Sequence, residues 1–274
     1  MNGQARTRVI SLVSIVVAIG CGSGHPQDAS ATSPSENRPA ASPLKQLAEA
    51  TPGAQSAPAS QGSATVTGSV KFTGAAPAPE HIKMDADPQC LLQHKDAVQN
   101  PSVIVNANGT LQSVFVYVKS GLEGKTFPAP TQPASLAQKG CLYSPRVFGM
   151  QVNQPLEIVN DDATLHNVNC KPTKSKPFNI AQPTQGMTSK KQFTAPEVMV
   201  KCSCNVHPWM SAYIGVLDHP FFATTGEDGA IKISGLPAGQ YTLEAWHEKY
   251  GTATQTVTVG NGETKSVDFE FKAQ

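Results

Sequence analysis

Val200-Lys-Cys-Ser-Cys-Asn-Val-His-Pro-Trp-Met210 sets Cys204, His207 and Met210 in one short loop, with two residues between each and the next. A thiolate, an imidazole and a thioether offered together select a soft, redox-active metal, copper foremost. A second imidazole completes that donor set. The candidate is His166, in Asn160-Asp-Asp-Ala-Thr-Leu-His-Asn-Val168. Leu156-Glu-Ile-Val159 precedes it, and Val198-Met-Val200 leads into the Cys204 loop; both read as strands. A β-sandwich brings two such strands together at one end, and alternation lets each point one residue inward.

The loop resembles the ligand loop of the cupredoxins, and its Cys-x2-His-x2-Met spacing is that of the amicyanin-type short loop. In that family the first His is commonly followed by Asn, as His166 is by Asn167. After about Gly62 the chain resembles an exported bacterial family that joins a cupredoxin domain to a carboxypeptidase regulatory-like β-domain. Its members are often labelled methylamine-utilisation proteins. The resemblance implies one type 1 copper held by His166, Cys204 and His207, with Met210 axial. It implies that Asn167 ties the His loop to the Cys loop by hydrogen bonds. It also implies that the edge of His207, beside Trp209, is the electron port; alternatively Trp209 covers the metal. Cys202 is the alternative thiolate, at a spacing used by azurin-like loops, but Cys204 places Met210 at the matching distance.

Length and composition bound the rest. Net charge is +1 with no basic run, so nothing suggests a nucleic-acid partner and none is expected. Gly and Pro stand at 22 each, as suits a turn-rich exported β-protein. Arg6 and Arg8 precede an apolar run, Val9 to Gly20, in the pattern of a signal peptide. Its end, Ala18-Ile19-Gly20-Cys21, resembles a bacterial lipobox, which implies lipid attachment at Cys21. Plain cleavage, or retention of the run as an anchor, is the alternative. Residues 1–21 are therefore expected to be a signal segment and 22–62, rich in Ser, Ala, Pro and Gln, a disordered linker.

Ordered structure is expected from Ser63. The fold class is all-β: a cupredoxin-like antiparallel sandwich over 63–218 and a small regulatory-like β-sandwich segment over 219–274. The second piece is short for its fold. Either it is truncated, or strands from 64–130 complete it and the cupredoxin core is inserted between its halves. Ser102 to Val118 reads as a hairpin turning at Asn108-Gly109.

Six cysteines divide into Cys21, Cys204 and four others, which suits two disulfides in an oxidising compartment. The expected pairs are Cys90–Cys141 and Cys170–Cys202. Counting in twos puts Cys170 on the face of His166 and Cys202 on the face of Cys204, on antiparallel strands. Two buried unpaired thiols are the alternative. His219 is expected at the domain junction and His247 in a packing role.

The function expected is single-electron transport by an exported, lipid-anchored protein in the periplasm or at the cell surface. Its partners would be redox proteins of the cytochrome or dehydrogenase class, with the membrane touched only through the anchor. A saturated ligand set leaves no open position for substrate, so no enzyme is expected. A copper chaperone or storage protein is one alternative. A structural or carbohydrate-binding β-module with a vestigial metal site is the other.

Overall fold

The computed structural model describes residues 62–273. Residues 1–61, with the expected signal segment, Cys21 and the expected linker, lie outside the described residues. Within them run seventeen strands and one short helix. The first elements are β1 (Ala64–Thr73), α1 (Pro88–Leu91) and β2 (Phe115–Ser120). Then come β3 (Ala134–Lys139), β4 (Leu142–Ser144), β5 (Val147–Gln151), β6 (Leu156–Asn160), β7 (His166–Cys170), β8 (Phe178–Gln182), β9 (Thr188–Lys191), β10 (Glu197–Ser203) and β11 (Ser211–Leu217). The last are β12 (Phe222–Thr224), β13 (Ala230–Leu236), β14 (Gly239–His247), β15 (Gly251–Val259), β16 (Thr264–Ser266) and β17 (Phe269–Lys272). The class is all-β, as expected, with parallel pairs (β5 with β11, β3 with β6, β1 with β16 and β17) among the antiparallel ones.

Two sandwiches result. In the first, the sheet β5-β11-β10-β7-β8 faces β4-β3-β6-β9. Between them lies an apolar core that includes Leu136, Met150, Ile158, Val168, Phe193 and Ile214. In the second, β13-β1-β16, with β17 also on β1, faces β12-β2-β14-β15. Val66 and Phe72 of β1 and Ile231 and Ile233 of β13 meet Val116 of β2 and Leu243 of β14 there. The sheets therefore do not follow a linear division at residue 218. β1 and β2 supply strands to the C-terminal sandwich, and β3 to β11 are inserted between β2 and β12. The hairpin expected over 102–118 contracts to a single bridge, Val105↔Leu111, because the returning arm bonds to β1 through Leu111 N–H and Val70 O at 2.9 Å.

β2 joins the two cores. Its first four residues are all buried. Val116 and Val118 face the second core, while Phe115 and Tyr117 pack with Val147 and Leu217 on the other side. A strand covered on both faces reads as a continuous apolar run. The Phe115 ring sits over Gly149 and Gly215, paired across β5 and β11. A Cβ on either glycine would come within 2.8 Å of that ring. Arg146 makes a two-pronged ion pair with Glu248 at 2.7 and 2.9 Å, again between the two sandwiches.

The two disulfides of the structure are Cys90–Cys141 and Cys170–Cys202, the pairs expected. Disulfides of this kind belong to extracytoplasmic proteins.

Candidate metal centre

Two strand ends and one loop build the site. β7 pairs antiparallel with β10, with Cys170 opposite Cys202, so the disulfide spans adjacent strands on the inward face. His166, Val168 and Cys170 of β7 are each 0% exposed, and Asn167 between them is buried as well. Asn160 holds the turn before His166: its side-chain N–H groups donate to Thr164 O and Gln182 O, each at 2.9 Å. After β10 the loop closes tightly. Cys204 N–H donates to Met210 O at 3.1 Å and Met210 N–H to His207 O at 2.9 Å.

This closure brings three donors together. His166 Nδ1 lies 2.9 Å from His207 Nδ1, and Cys204 Sγ lies 3.8 Å from His207 Nδ1. One ligand atom from each of the three residues falls within 4.8 Å of the others. The residues are 0%, 3% and 1% exposed for His166, Cys204 and His207. Met210 is wholly buried in the same core. Cys202 is held in its disulfide, and Cys204 is the free thiol among the described residues. Asn167 links the two loops. Its Oδ1 accepts from Asn205 N–H at 2.7 Å and faces Cys204 Sγ at 3.4 Å, and its Nδ2 donates to Asn179.

Two carboxylates that the sequence reading passed over complete the arrangement. Asp162 Oδ2 lies 2.8 Å from His166 Nε2, and its carboxylate also accepts from Gly140 and Cys141 N–H at 2.8 Å. Asp87 Oδ2 lies 2.8 Å from His207 Nε2. Asp162 stands four residues before its histidine, a spacing the sequence displays. Asp87 stands 120 residues from His207 and leaves no local signal.

A carboxylate beside each Nε2 holds a proton there and leaves Nδ1 as the ring atom available to a metal. Burial opposes charge on His166, but Asp162 and the Cys204 thiolate outweigh it and raise its pKa to about 9. Burial likewise opposes the Cys204 thiolate; contact with His166 and with backbone N–H groups of Asn167, His207 and Val206 prevails, and its pKa falls to about 6. The His207 contact holds the Asp87 carboxyl below its usual value. Asp162 is also lowered: burial raises it, and His166 with two backbone N–H groups outweighs that. A buried thiolate flanked by two imidazoles and two carboxylates calls for a cation between the donors. A soft cation fits two Nδ1 atoms and one sulfur.

The His207 ring, where the resemblance implies an electron port, is 1% exposed. That ring is covered by Asp87, by Cys90 Sγ at 3.5 Å and by Trp209, whose ring centre lies 5.1 Å away. Trp209 is half-buried and donates its Nε1–H to Cys141 O at 3.0 Å. His219 is buried between the sandwiches' strands with Nε2 at 2.9 Å from Val118 O. His247 packs against Tyr250 and Phe271 in the second core.

Residues 211–272 match the family model of the carboxypeptidase regulatory-like domain. No curated protein matches the chain. Among solved structures, a copper-containing nitrite reductase (NirK) from Thermus scotoductus SA-01 is similar at 23% identity over 35% of this chain, with TM-score 0.30. The chain spans only 24% of that reductase's length. A purple cupredoxin from Nitrosopumilus maritimus is similar at 22% identity, covering 30% of this chain and 98% of its own, with TM-score 0.27. An amicyanin variant in the Cu(I) form is similar at 15% identity, covering 37% and 97%, with TM-score 0.28. Likenesses this low assign nothing to the chain beyond themselves.

Proposed function

We propose that the chain is an exported, mononuclear type 1 copper protein that carries single electrons. The observation supporting this most is the convergence of His166 Nδ1, His207 Nδ1 and Cys204 Sγ in a water-excluded site, with Met210 fully buried beside them. Cys204 would supply the thiolate, the two histidines the imidazole donors and Met210 the weak axial thioether. Copper so held supplies one-electron redox chemistry. The residues' own contribution is to preset the donors: both imidazoles are fixed at Nε2, the loop is closed by backbone hydrogen bonds, and the Cys170–Cys202 bridge pins the strands beneath.

The partners on this reading are redox proteins of the cytochrome or dehydrogenase class, met outside the cytoplasm. Attachment through Cys21 would hold the domain near the membrane. With donors from four residues, no open position is left for a substrate, so the centre transfers electrons rather than catalysing a conversion. A chaperone hands its metal on through accessible ligands. Here His166, Cys204 and His207 are all buried, which favours the carrier.

The test is the visible and EPR spectrum of the copper-loaded protein. An intense thiolate-to-copper band with narrow hyperfine splitting is expected, and Cys204→Ser removes it. A colourless protein, or a band that survives Cys204→Ser, refutes the proposal.

A further inference from the structure

His207 is not held by its own loop alone. The segment from Glu80 to Asn100 folds over it as a closed cap. Its base is shut by Asn100 N–H donating to Glu80 O at 2.7 Å and Ile82 N–H to Val98 O at 2.8 Å. Met84, 4% exposed, plugs it into the first core, and the Cys90–Cys141 disulfide staples it there. His94 Nε2, 2.8 Å from Gly140 O, fixes its far side. At the centre stands Asp87. Its Oδ1 accepts from Gln89 N–H at 2.9 Å, which orients the carboxylate, and Oδ2 then meets His207 Nε2 at 2.8 Å. Three independent anchors therefore place this carboxylate: the Met84 plug, the Cys90–Cys141 disulfide and the His94 contact.

Accepting the metal centre as read above, we infer that Asp87 is a positioning residue for His207, delivered by a disulfide-stapled cap that closes the centre on that side. The contact fixes the imidazole so that Nδ1 faces Cys204, and it adds an anionic hydrogen bond that makes His207 a stronger donor. A stronger donor favours the more highly charged metal state, so Asp87 stabilises Cu(II) more than Cu(I).

A role as a helix cap alone would leave the metal untouched, and the variants separate the two. Asp87→Ser keeps a side-chain acceptor for Gln89 N–H but is too short to reach His207. Asp87→Ala removes both. The full chain of each variant is titrated with Cu(II) and Cu(I) against competing chelators, and its potential is read by spectroelectrochemistry. Both variants are expected to lose about 10- to 100-fold in Cu(II) affinity. The loss for Cu(I) is about tenfold smaller, a rise in potential of about 59 mV for one electron. Wild-type affinities and potential in Asp87→Ser overturn the inference. A wild-type protein that binds copper without a thiolate band refutes the carrier reading alone, since the affinities still decide the role of Asp87. A wild-type protein that binds neither copper ion overturns both.

Discussion

Gly215→Ala isolates the contact that sets the second sandwich against the first. At an ordinary strand position this change stabilises by about 0.4–1 kcal/mol, because alanine leaves the unfolded chain fewer conformations. Gly215 is not in the left-handed region, so the backbone accepts alanine. The space does not. The new Cβ would stand 2.4 Å from two ring atoms of Phe115 and 3.1 Å from Met199 Cε. Phe115 is wholly buried, with Tyr117 and Phe222 each 5.6 Å away between ring centres, so the ring has nowhere to move. Overpacking of this kind costs about 1–3 kcal/mol. We expect a net loss of about 2 kcal/mol, seen as a fall in Tm of about 4–8 °C for a domain of this size. Phe115→Leu clears the space. In that background Gly215→Ala should be neutral or mildly stabilising, a coupling of about 2 kcal/mol between the two sites. Urea unfolding of the four proteins of this cycle measures it. An equal cost of Gly215→Ala in both backgrounds would refute the steric argument and the arrangement of β2 over β5 and β11.

Two further outcomes follow from buried charge and burial. The side chains of Arg146 and Glu248 are 11% and 8% exposed, and Arg146 also donates to Ser211 O. Glu248→Leu strands the guanidinium and should cost about 3–5 kcal/mol, whereas Arg146→Met with Glu248→Leu should come close to wild type; thermal unfolding compares them. His247 is 1% exposed, and burial lowers its pKa to about 4 from an ordinary 6.5. Its neutral form is the folded one, so its contribution is complete above about pH 6.5 and is lost as pH falls toward 4. Between about pH 7.5 and about pH 5 the wild type should lose about 2 kcal/mol more than His247→Gln, by urea unfolding at each pH. Identical slopes would show that His247 titrates freely.

Much of the site was legible in the chain because it rests on local features. The candidate donors Cys204, His207 and Met210 share one loop, and the order of residue types alone points to a soft metal. Counting in twos from His166 to Cys170 and from Cys202 to Cys204 puts all four on inward faces, and the Cys170–Cys202 bridge follows from that parity. Alternation in Ala64 to Phe72 and in Ile231 to Ile233 marks strands without saying which strands they meet. The carboxylates were not legible. Asp161 and Asp162 look like ordinary turn residues, and only the turn held by Asn160 aims Asp162 at His166.

Residue types and their spacing thus determined the β class, the candidate donors of the Cys204 loop and the parity of the buried cysteines, since each depends on neighbours within a few positions. Tertiary structure alone decided that β1 and β2 complete the C-terminal sandwich, that the Phe115 ring fills the space left by Gly149 and Gly215, and that Asp87 closes over His207. Those contacts join residues from 34 to 199 positions apart. They arise when whole faces pack and exclude water, and no short stretch of chain carries a record of the partner it will bury against.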